Sequence, residues 1–112
     1  KVKKWPRLIM ALAALALVAA LFQPSQASAA SSYLRNNNSI SAPACGAIDC
    51  PYGPGYLVRN GTGFTMYCWA DSSWRYGNGY WTNRWFKGWV NGLGVEWVPS
   101  NYVMNQTRVG HC

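Results

Sequence analysis

Phe64-Thr65-Met66-Tyr67-Cys68-Trp69-Ala70 alternates two sets of side chains. Phe64, Met66, Cys68 and Ala70 form one set, apolar and carrying a cysteine, while Thr65, Tyr67 and Trp69 form the other. A period of two belongs to a pleated strand, so the first set is expected to face a core. On the N-terminal side, Tyr56-Leu57-Val58-Arg59 reads as a short strand ended by Asn60-Gly61-Thr62-Gly63. The Asn-Gly pair there favours a turn with positive φ. Pro51-Tyr52-Gly53-Pro54-Gly55 is turn material. On the C-terminal side, Asp71 to Gly79 reads as a polar, glycine-bearing loop that presents Trp74 and Tyr76 to solvent. Tyr80 to Val90 is a strand with aromatic residues on both faces. Asn91-Gly92-Leu93-Gly94 is a hairpin turn into the strand Val95-Glu96-Trp97-Val98. Pro99-Ser100-Asn101 reads as a 3₁₀ turn leading into Tyr102-Val103, and residues 107–112 read as a last strand. Five short strands joined by glycine-rich turns predict an all-β domain, a small partly open barrel.

The start of the chain says where this domain is expected to work. Lys1, Lys3, Lys4 and Arg7 form a basic front, an apolar run extends from Leu8 to Phe22, and Ala27-Ser28-Ala29 closes the segment. This is the layout of a secretory signal peptide over residues 1–29. Fifteen apolar residues would span only ~22 Å as a helix, short of a ~30 Å hydrocarbon core, so no stable membrane insertion is expected after cleavage. The chain has 112 residues and a net charge of +7, but four of its ten Lys and Arg precede the cut. The remaining six against three acids leave a charge near +3, which is no nucleic-acid footprint. Residues 30–44 carry little bulk and no periodicity and read as a flexible lead. The ordered domain is then expected over residues 45–112, as a secreted monomer, with a wall-associated location also compatible with its mild positive charge.

Cys45, Cys50, Cys68 and Cys112 allow three pairings. In an exported chain an even count favours a complete disulfide set. Cys45–Cys50, closing a short turn, and Cys68–Cys112, tying a central strand to the chain end, form the preferred pairing. A zinc site is not expected, since the cysteines are scattered and His111 adjoins Cys112. Catalysis has thin raw material: one histidine, three acids and no spare thiol supply neither a nucleophile–base pair nor a placed carboxylate pair. No enzyme activity, metal or cofactor is expected.

Two stretches resemble a known family. Leu57-Val58-Arg59-Asn60-Gly61-Thr62-Gly63 is similar to the N-V-R-S-G-P-G opening of bacterial SH3-like (SH3b) domains. Trp85-Phe86-Lys87, followed by Gly94-Val95-Glu96-Trp97-Val98-Pro99-Ser100-Asn101-Tyr102-Val103, resembles the SH3 pattern of an aromatic strand, a hairpin and "G-x-x-x-V-P-S-N-Y-V". With Cys68 and a closing Cys112, the chain looks like the small secreted SH3 domain proteins of Gram-positive bacteria. The resemblance implies an SH3-like barrel that binds cell-wall peptide or other extracellular peptide in an aromatic groove. Carried over by motif, Trp85 would be ligand-facing, and Pro99 and Tyr102 would form the other wall. Trp74 and Tyr76 are secondary binding candidates. The acidic loop with which eukaryotic SH3 domains read Arg or Lys is absent, only Asp71 lying in a comparable region. A reading from a different class is a secreted cationic effector of antimicrobial type that acts on membranes.

Overall fold

The computed structural model describes residues 31–112; the expected signal peptide lies outside the described residues. Among them the chain is all-β. The strands are β1 (Tyr33–Leu34), β2 (Ser41–Ala44), β3 (Tyr56–Arg59), β4 (Phe64–Gly77), β5 (Tyr80–Val90), β6 (Gly94–Pro99) and β7 (Val103–Met104), with a 3₁₀ turn over Ser100–Tyr102. β4, β5 and β6 make an antiparallel sheet, β2 pairs with β3 and β1 with β7, and no sheet closes into a barrel. Cys45 joins the second sheet to the first: it exchanges two backbone bonds with Trp97, at 2.9 and 2.7 Å, on the edge of β6.

The turns follow their sequences. Asn78 and Gly79, at φ of 49° and 91°, form a two-residue turn between the paired Gly77 and Tyr80. Positive φ at both central positions matches the right-handed twist of the flanking strands. β4 and β5 are thereby one long hairpin, and the loop expected over residues 71–79 is strand as far as Gly77. On either side of a slip, cross-strand partners hold it in the ladder: Asp71 pairs with Arg84, Arg75 with Thr82 and Tyr76 with Trp81. The ladder slips between Asp71 and Arg75, as it does earlier between Met66 and Cys68.

The expected flexible lead is also structured. Leu34, Ala42 and Ala44 are fully buried and belong to the core with Val58, Phe64, Met66, Phe86, Val90, Val98 and Val103. Leu34 donates to Thr62 O at 3.0 Å and accepts from Gly61 N at 2.8 Å, which fixes β1 to the turn after β3. Asn60 holds the segment between β1 and β2, donating through Nδ2 to Asn36 O and Ser39 O and accepting from Asn36 N. Small side chains conceal such a strand in sequence, since alanine fills a core position only where a partner sheet comes close. The last strand expected over residues 107–112 is instead a tail with one bridge, Trp69 to His111. Trp69 N donates to Gly110 O and Cys112 N to Trp69 O.

Phe64 and Met66 face the core as their alternation requires, and a bulge between Met66 and Cys68 leaves Cys68 and Ala70 half-buried. Cys45 pairs with Cys50 and Cys68 with Cys112, five and 44 residues apart. On a loop-entropy model they contribute about 2 and about 4 kcal/mol. Such staples offset the small core that a domain of this size can bury.

Candidate functional site

The site is built around the short disulfide loop. Asp49 and Cys50 are both left-handed, at φ of 69° and 48°. This folds the loop back so that the Asp49 carboxylate reaches β4 at its ladder slip. There Asp49 accepts from Ser72 Oγ at 2.6 Å, from Ser73 N at 2.9 Å and from Ser73 Oγ. The hydroxyl bond from Ser72 and then those from Ser73 hold the Asp49 carboxyl below the usual carboxylate range. Arg75 adds a clamp, donating from Nη2 to Asp49 O at 2.9 Å and from Nη1 to Trp74 O at 3.2 Å.

Trp85 lies beneath this clamp. Its Nε1 donates to Ser73 O at 3.0 Å, and the Arg75 guanidinium stands 5.2 Å from its ring centroid. Pro99 pairs with Trp85 across β5 and β6. The 3₁₀ turn then places Tyr102, half-buried, beside Tyr76: the Tyr102 hydroxyl donates to Tyr76 O at 3.3 Å, and burial raises its pKa. Tyr76 meets Trp81 edge to face at 5.4 Å.

Between these groups is a cleft of about 210 Å³. It is lined by Trp85, Pro99, Tyr76, Tyr102 and Arg75 together with Pro43, Cys50, Gly53 and Pro54. A larger hollow of about 320 Å³ lies across the Pro51–Gly55 ridge, lined by the short disulfide, Tyr52 and Tyr56.

Three expected site residues, Trp85, Pro99 and Tyr102, thus share one cleft, and Tyr76 joins them. One role changes. Trp85 was expected on a partly exposed surface facing ligand, but its exposure is 0%. The indole is held under Arg75 and bonded to Ser73, so it is a floor that shapes the cleft. Trp74 is exposed but does not line it. Arg75, Pro43 and Pro54 were missed because they sit in segments read as loop, lead or turn. Their closeness to Tyr102 arises from pairings distant in sequence. Among the described residues, no three His, Cys, Asp or Glu side chains cluster to hold a metal ion. No helix there is long and apolar enough to cross a membrane.

No known family model, curated protein or solved structure matches the chain.

Proposed function

We propose that this chain is a secreted, disulfide-stapled binding module of the SH3-like kind, which takes an extended cell-wall or other extracellular peptide in the Tyr76–Tyr102 cleft. The observation that carries this reading is the convergence of Tyr76, Tyr102, Pro99 and Pro54 on one concave surface. Rigid rings and prolines offer apolar area at low entropic cost, and their polar edges orient a backbone. The two disulfides suit an oxidising compartment, in keeping with a signal peptide over residues 1–29.

Sedimentation of the protein with purified cell walls, displaced by soluble muropeptides, tests the reading. Tyr102→Ala should weaken binding by ~1–3 kcal/mol in a folded protein. Walls that leave the protein in the supernatant would refute wall binding. The membrane-effector alternative draws on exposed Trp74 and Trp81. Salt-sensitive leakage of anionic liposomes would favour it.

A further inference from the structure

The cleft carries a charge that its neighbour lacks. Arg75 is the one ionisable cation or acid on its lining, and the hollow across the Pro51–Gly55 ridge has none. The Arg75 guanidinium donates to two backbone carbonyls, those of Trp74 and Asp49. Those bonds orient the fork but bring no negative charge, and a guanidinium has five N–H donors. Among the described residues, Arg75 forms no ion pair with a carboxylate; the ion pair present is Arg84 with Asp71. The closest acid in this network is Asp49, whose carboxylate attracts Arg75 through space but spends its hydrogen bonds on Ser72 and Ser73 and forms none with the guanidinium. The surroundings of Arg75 within the cleft are rings and prolines, which screen charge poorly and so strengthen an ion pair formed there.

We infer that the cleft takes the free C-terminal carboxylate of a peptide, paired with Arg75, while the preceding small apolar side chain rests between Tyr76 and Tyr102. This rests on the peptide-binding reading above and adds the chemical class of the ligand. Guanidinium and carboxylate match as fork to fork, which gives direction as well as affinity. A volume of about 210 Å³ is below the usual range of ~300–1,000 Å³ for small-molecule pockets. A space of that size suits the end of a chain better than a long acidic side chain whose backbone runs on.

The test compares three probes on the intact protein, read by the NMR signal of the Trp85 indole N–H. They are N-acetyl-Ala-Ala with a free carboxylate, the same peptide as its C-terminal amide, and N-acetyl-Ala-Glu amide. The free acid should bind about tenfold more tightly than the amide, the scale of one charged hydrogen-bonded contact. The preference should shrink as salt rises. Arg75→Gln should remove the difference between acid and amide, and Arg75→Lys should retain part of it. The wild-type comparison stands even if a variant fails to fold. Equal affinity for acid and amide overturns the carboxylate pairing while leaving peptide binding intact. Equal affinity for the Glu amide overturns the preference for a chain end. Inorganic phosphate moving the Trp85 signal where the peptides do not overturns the peptide carboxylate as ligand. If no peptide binds and the protein also fails to sediment with walls, the underlying reading falls as well.

Discussion

The hydroxyl end of the Tyr102 ring lies against the bare backbone of Gly77, where a Cβ would overlap the ring and its hydroxyl. The contact joins the end of β4 to the 3₁₀ turn and sets the height of one cleft wall. Gly77 adopts no positive φ, so space rather than backbone freedom demands glycine.

Gly77→Ala should therefore displace Tyr102 and cost ~1–3 kcal/mol through overpacking. In the double variant Gly77→Ala/Tyr102→Ala the added methyl meets no ring, so the two costs should not add. Denaturant melts of the four proteins of this cycle measure the coupling. Strict additivity would show that the ring moves aside freely.

Trp85 and Tyr102 should separate on mutation. Trp85→Ala removes a fully buried indole and should cost ~3–5 kcal/mol, enough to unfold much of so small a domain. Trp85→Phe keeps most of the volume but leaves Ser73 O without its donor, for ~1–3 kcal/mol. Tyr102→Ala should leave near-native circular dichroism. Thermal melts of the three variants decide the order.

The segment before Cys45 should prove essential for folding. Leu34 is fully buried, and Leu34→Ala should cost ~2–5 kcal/mol. Deleting residues 31–44 removes β1 and β2, and with them the partner of β3. The shortened protein should show no cooperative melt. A deletion variant as stable as the full domain would contradict the pairing of β2 with β3.

Two acids should shape the pH dependence in opposite senses. Burial raises the Glu96 pKa above its ordinary 4.5, and Oε2 has no hydrogen-bond partner among the described residues. The folded state thus holds the Glu96 proton more tightly than the unfolded state does. The resulting penalty is absent below pH 4.5, grows as pH rises through the folded value, and is complete above it. Glu96→Gln should raise the melting temperature at neutral pH and lose that advantage in acid. Asp49 is held below its ordinary 3.8, so its contribution is present above that pH and is lost as pH falls through the folded value. Asp49→Asn should destabilise at neutral pH, with a difference that closes in acid. Melting temperatures across the acid range test both.

The sequence by itself determined the all-β class, the central strands and the turns, because these depend on local chemistry. The alternation from Phe64 to Ala70, the positive-φ residues near Gly61 and Gly92, and the Pro99–Tyr102 turn are all short-range signals. Tertiary structure alone decided that Leu34, Ala42 and Ala44 are core, since alanines acquire a packing role only from the sheet laid over them. It also decided that residues 71–77 continue β4, because Asp71 meets Arg84 thirteen residues on and Ser72 and Ser73 meet Asp49 more than twenty residues back. The cleft divides in the same way. Pro99 and Tyr102 were legible from one motif, whereas Trp85 as floor and Arg75 as the charge above it required the Asp49 loop to fold across β4. That crossing depends on a carboxylate meeting two serine hydroxyls over a separation of more than twenty residues, which no local pattern encodes.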